Sequence, residues 1–165
     1  MDDDAPVFQC QVCKSDFTNP YVSLDRNTQQ HGTDVWQGKV RKTIKIWLSQ
    51  EMFRYDSQHC WSLHAPEIEA ALQLKAAYPP SGPVTPCCRC GIPVQRSLPH
   101  ISYAMTEMAM EYGAGDWIGH VLKDREFALL CRECEAPDEF EVAAEAEVDS
   151  PVPAQVQNQN ERSMT

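Results

Sequence analysis

The apolar and polar positions divide the chain into stretches of different period. Over residues 39–48 the order is close to strict alternation. Val40, Ile44, Ile46 and Leu48 fall on one side of an extended strand; Lys39, Arg41, Thr43, Lys45 and Trp47 fall on the other. Gln37-Gly38 just before it reads as a turn. Farther along, Ile101, Tyr103 and Met105 alternate, Gly113-Ala114-Gly115-Asp116 reads as a second turn, and Trp117 to Cys131 can return as extended chain. Residues 105–111 also contain good helix formers, so a short helix is an alternative there.

One stretch carries the helical period. Residues 66–77 begin with Pro66, which suits a first helical position, continue with Glu67 and Glu69 in the first turn, and end near Lys75. Ile68, Ala71, Leu72 and Lys75 give i, i+3, i+4, i+7 spacing, so this is the clear helix of the sequence. Residues 78–86 hold four prolines and a glycine and read as a linker. The expected organisation is therefore an N-terminal module over 7–77, the linker, a C-terminal module over 87–134, and a tail from 135. The fold class is α+β and β-rich.

Composition sharpens this picture. The chain has 165 residues, with 24 acids, 14 bases and a net charge of −10. Residues 135–165 carry eight acids against one base, and Phe140 is the sole aromatic there. Such a stretch buries too little apolar surface to offset its ordering entropy, so a disordered acidic tail is expected. No apolar run approaches the length of a membrane span. The start, Met1-Asp2-Asp3-Asp4, lacks the basic and apolar regions of a secretory signal, which points to the cytoplasm.

Eight cysteines are many for this length. Cys87-x2-Cys90-Gly91 is followed 40 residues later by Cys131-x2-Cys134. A two-residue gap lets both thiolates of a tight turn face one ion, and two such turns complete a closed tetrahedral set. In a chain without a secretory signal, metal is favoured over disulfides. This spacing resembles the zinc-ribbon and treble-clef superfamily of zinc modules over residues 87–134. The resemblance implies a structural zinc held by Cys87, Cys90, Cys131 and Cys134.

A second set is expected from Cys10-x2-Cys13 with Cys60-x3-His64, the latter pair just before the helix, where a treble clef places its second ligand pair. His59 is the alternative fourth ligand. Cys88 is left as a spare thiol. The halves also resemble each other: each starts with a cysteine pair and later has an Asp and a Trp near its middle (Asp34 and Trp36; Asp116 and Trp117). Each then has a Phe seven residues before a later cysteine (Phe53 and Cys60; Phe127 and Cys134). A duplication of one metal-binding unit accounts for this. Two zinc ions would also explain how modules this small are stable.

Catalysis is not expected. The sequence has no phosphate loop, nucleophile elbow or paired-histidine metalloprotease helix. His100 lies between two cysteine pairs, as in zinc-carrying nucleases of the ββα-metal class, but no histidine follows Cys134. A four-ligand zinc leaves no open position for substrate. The leading expectation is a zinc-binding interaction module, an adaptor or regulator acting through protein contacts. The alternatives are nucleic-acid binding through Lys39, Arg41, Lys45 and Trp47, and an acidic inhibitor or immunity-type protein that covers a basic partner.

Overall fold

The computed structural model describes residues 5–137; the expected acidic tail lies outside these residues, apart from 135–137. The described chain is β-rich with a single helix. The strands are β1 (Phe8–Gln9), β2 (Asp16–Phe17), β3 (Tyr21–Trp36), β4 (Lys39–Tyr55), β5 (Val84–Pro86), β6 (Pro93–Gln95), β7 (His100–Gly113) and β8 (Asp116–Leu130). The helix α1 spans Gln58–Ala71 between β4 and β5. It is too short to cross a membrane, and no helix among the described residues is long and apolar enough to do so.

The two halves repeat one plan. Each begins with a small hairpin, β1–β2 or β5–β6, and continues into a long one, β3–β4 or β7–β8. The long hairpins turn at Gln37-Gly38 and Ala114-Gly115, all four residues with positive φ. That is the turn geometry whose twist matches the strands it joins. The extended alternative therefore holds over residues 105–111, which continue β7.

The halves are joined through one antiparallel sheet in the order β4-β3-β7-β8. The central pair runs Tyr21↔Met108 to Gln29↔His100. Because β3 and β7 are antiparallel, their unpaired remainders leave the shared region in opposite directions. Residues 30–36 continue with β4 as one two-stranded arm, and residues 109–113 continue with β8 as the other. The stretch 78–86, read as a linker, is hydrogen-bonded to the fold: Tyr78 N–H donates to Phe127 O at 2.8 Å, and β5 lies within it.

Helix α1 starts eight residues earlier than the proline at 66 suggests. Ser57 is its N-cap, and the Ser57 hydroxyl accepts from Cys60 N–H. This satisfies one of the amides left open at a helix start. Pro66 therefore lies inside the helix and removes one internal donor there. The helix ends early as well. Gln73 adopts φ 56°, and the Gln73 and Leu74 amides donate back to Ala70 O and Glu69 O, which closes the last turn. Residues 73–77 then leave the helix, and Lys75 N–H donates to Cys88 O at 2.8 Å.

The core is continuous across both halves. Val22, Leu24, Tyr55, Trp61, Ile101 and Phe127 are buried in one cluster. Trp61 of α1 meets Phe127 of β8 edge-on at 5.0 Å and Tyr55 of β4 at 5.5 Å, so one indole ties the helix to both outer strands.

Candidate metal centres

The small hairpins build two matching knuckles. In the second, Cys87 N–H donates to Ile92 O and Gly91 N–H to Cys87 O, with Gly91 at φ 81°. In the first, Cys10 N–H donates to Ser15 O and Lys14 N–H to Cys10 O, with Lys14 at φ 63°. The same two hydrogen bonds thus close both turns. A side-chain-bearing residue sits in the left-handed conformation in one of them, where glycine is at no steric disadvantage.

The C-terminal cluster joins Cys87, Cys90, Cys131 and Cys134, with ligand atoms all within 4.8 Å of one another. Cys87 Sγ is 3.8 Å from Cys134 Sγ, and Cys90 Sγ is 3.5 Å from Cys131 Sγ. Metal–sulfur bonds of about 2.3 Å in a tetrahedron require sulfurs about 3.8 Å apart. These two separations lie near that value and all six are within 4.8 Å, so the four residues could hold a metal ion. Backbone amides of Arg89 and Cys131 donate to Cys87 Sγ at 3.4 and 3.3 Å. Burial pushes the Cys87 thiol up, but amides of Cys90, Cys131 and Arg89 outweigh it and bring it down to about 6. Arg89 closes the site from outside, donating to Leu72 O and Cys134 O.

The N-terminal cluster joins Cys10, Cys13, Cys60 and Asp56. Its fourth donor differs from the expectation. His64 is turned away: its Nδ1 lies 2.6 Å from Tyr55 Oη and its Nε2 3.3 Å from Glu67, while its ring packs edge-on against Phe53. His59 is exposed and is not among the gathered donors. The reason is the earlier helix start. With Ser57 as N-cap, Cys60 sits in the first turn beside Asp56, whereas His64 is a further turn along. Asp56 Oδ1 lies 3.6 Å from Cys10 Sγ and Oδ2 3.2 Å from Cys13 Sγ. Hydrogen bonds, from Cys60 first and then Cys13, hold its carboxyl below the usual range.

Cys88 joins neither cluster; its Sγ accepts from Leu129 N–H at 3.3 Å, and burial raises its thiol. Of the basic strand, Lys39, Arg41 and Lys45 are exposed. Arg41 is engaged: it donates to both carboxylate oxygens of Asp34 at 3.0 and 2.8 Å and lies over the Trp36 ring. Trp47 is half-buried, with Nε1 enclosed and unpartnered among the described residues, and the Lys45 ammonium lies 5.9 Å over its ring. The register steps from Thr28↔Leu48 to Gln29↔Ile46, so Trp47 falls at a bulge and the alternation read through residue 48 breaks there.

No protein-family model, no curated protein and no solved structure matches the chain.

Proposed function

We propose that the chain is a zinc-stapled, non-catalytic binding module that acts as an adaptor or regulator through protein contacts. The observation that carries this reading is the pair of projecting arms. Val35, Trp36 and Val40 stand exposed near one tip, with Val40 at 73%. Ile118, Val121 and Leu122 stand exposed along the other, with Leu122 at 60%. Exposed apolar side chains on both arms of a chain so rich in acids favour contact surfaces there. Free thiols throughout and thiolate-rich donor sets favour zinc in a reducing compartment such as the cytoplasm. Four donors per ion leave no place for a reacting water, which supports a structural role.

The nucleic-acid reading is weaker on this geometry, because Arg41 is already paired with Asp34 and Trp47 is half-buried with Lys45 over its ring. A photo-reactive residue placed at position 36, and separately at 118, in the producing cells tests the proposal. Discrete protein adducts lost on Val40→Ser or Val121→Ser are expected. Adducts to DNA or RNA, lost instead on Arg41→Glu with Lys45→Glu, would overturn it.

A further inference from the structure

β4 is an outer strand of the sheet β4-β3-β7-β8. Near its end the edge is in use, since Gln11 N–H donates to Arg54 O at 2.9 Å. Over residues 39–50 β4 has β3 on one side, and no strand among the described residues pairs with the other. Such an edge carries open N–H and C=O groups and is a template for one more strand. Its two faces differ. Lys39, Arg41 and Lys45 lie opposite Trp36, Asp34 and Gln30 and share one face, with uncharged Thr43 as the break in the row. Val40, Ile44 and Ile46 lie opposite Val35, His31 and Gln29 and share the other face, where all three are exposed. Arg41 spends Nε and Nη2 on Asp34, and a guanidinium has further donors.

A segment with the complementary pattern lies in the same chain, outside the described residues. Residues 138–149 hold six acids and no base. From 139 they alternate. Glu139, Glu141, Glu145, Glu147 and Asp149 fall on one side of an extended strand, and Phe140, Val142, Ala144, Ala146 and Val148 fall on the other. Ala143 is the uncharged break in this row. The two patterns match in one antiparallel register. With Glu141 opposite Lys45, Glu145 falls opposite Arg41, Glu147 opposite Lys39, and Ala143 opposite Thr43. On the other face Phe140, Val142 and Ala146 fall opposite Ile46, Ile44 and Val40. A shift of two residues either way leaves two charge pairs and sets Ala143 against a base.

Glu135 fixes where the segment starts. It pairs with Arg26 at 2.7 Å and accepts from Tyr103 Oη, and Arg26 also donates to Gln50 of β4. Arg26 shares a face of β3 with Gln30 and Asp34, the face of the basic row. From Arg26 the position beside Lys45 lies about 13 Å along the strands and about 10 Å across them, a diagonal of about 16 Å. The six residues from 135 to 141 reach about 20 Å. A parallel register with Glu139 on Lys39 would also make three charge pairs, but Lys39 lies about 33 Å along the arm from Arg26, and four residues from Glu135 reach about 14 Å.

We propose that residues 139–147 add to the open edge of β4 as a fifth, antiparallel strand, with Glu141, Glu145 and Glu147 on Lys45, Arg41 and Lys39. The segment buries too little to order by itself. The edge supplies backbone partners and opposite charges, and the covalent tether supplies a high local concentration. Lysines on an open edge repel basic strands and discourage uncharged ones, and they admit an acidic one. The pairing is independent of any outside partner.

The test is amide hydrogen exchange by NMR on the full, metal-loaded chain. Alternate amides over 140–147 are expected to exchange at least tenfold more slowly than their intrinsic rates, and Val142 is expected to show nuclear Overhauser contacts to Ile44. Val142→Pro with Ala143→Pro removes a ladder donor whichever of the two amides faces β4. This variant is expected to return the segment to intrinsic rates with the metal content unchanged. Lys39→Glu is expected to lose protection toward residue 147. Adding Glu147→Lys to it is expected to restore that protection, whereas adding Glu141→Lys is not. Intrinsic rates across 140–147 in the unsubstituted chain would overturn the proposal. So would protection that survives the two prolines, or equal restoration by both lysine placements, which would show charge attraction without a register. Protection that grows with protein concentration would also overturn it, by showing that the strand comes from a second copy.

Discussion

Asp56 stands one residue beyond the end of β4, as Cys131 stands one residue beyond the end of β8, and each faces the knuckle of its own half. The repeat therefore places a carboxylate in one half where the other half has a thiolate. Carboxylate oxygen is a harder donor than thiolate and holds zinc-like ions less selectively. The N-terminal ion should leave first in a chelator competition, giving two separable steps. Asp56→Ala should abolish the first step and lower the metal content by one ion. Asp56→Cys should keep two ions and slow the first step toward the second. Metal release followed with a chromogenic chelator checks this; a single step in the unsubstituted protein would contradict it.

Lys14 and Gly91 close equivalent turns with φ 63° and 81°. A side-chain-bearing residue in that conformation costs about 1 kcal/mol relative to glycine. Lys14→Gly should therefore stabilise the protein by up to about 1 kcal/mol and leave the metal content unchanged. Urea unfolding of the metal-loaded protein measures it, and a destabilisation of that size would show that the Lys14 side chain makes a contact worth more than its strain.

Cys131 and Cys88 are both buried, but only Cys131 belongs to a cluster. Cys131→Ser should cost one metal ion and unfold the region around β5–β8, because bound metal contributes folding free energy directly. Cys88→Ser should retain both ions and cost about 1 kcal/mol, since the hydroxyl can still accept from Leu129 N–H. Metal analysis of the two purified variants decides it: equal loss would contradict the assignment.

Arg96 links β6, β8 and the segment at Pro80 through a single buried guanidinium. Arg96→Met should destabilise by about 3–5 kcal/mol, because it leaves Glu126 without its counterion. Arg96→Met combined with Glu126→Gln should recover a large part of that loss. Thermal melts of the single and double variants test it; simple additivity would contradict the pairing.

The sequence made parts of this legible and hid others for physical reasons. The Cys87, Cys90, Cys131 and Cys134 spacing was readable because a metal knuckle is a local geometry with a fixed two-residue gap. The β7–β8 hairpin was readable at its turn, Gly113-Ala114-Gly115, and in the first half the Gln37-Gly38 turn and the strand after it were readable, but β3 before it was not. The pairing of β3 with β7 has no local signature, since a ladder between distant segments leaves no mark on either one. Asp56 was hidden because the sequence pattern put the helix start at Pro66, and only the actual start at Gln58 brings Asp56 beside Cys60. The repeat held the available signal: Asp56 precedes Cys131 by 75 residues, and Cys60 precedes Cys134 by 74. His64 misled because its spacing from Cys60 is that of a zinc pair, while its ring is held between Tyr55 and Glu67. Pro66 misplaced the helix start because proline suits a first turn, yet Ser57 supplies the actual cap.

The account rests on two metal ions fixing two repeated units. Native mass spectrometry of the full chain, purified without added metal, tests this most directly. The expected spectrum shows a single species carrying two zinc ions, which falls to one ion in Cys10→Ser and to one in Cys134→Ser. A folded protein that carries no metal, or one whose zinc count is unaffected by either substitution, would contradict it.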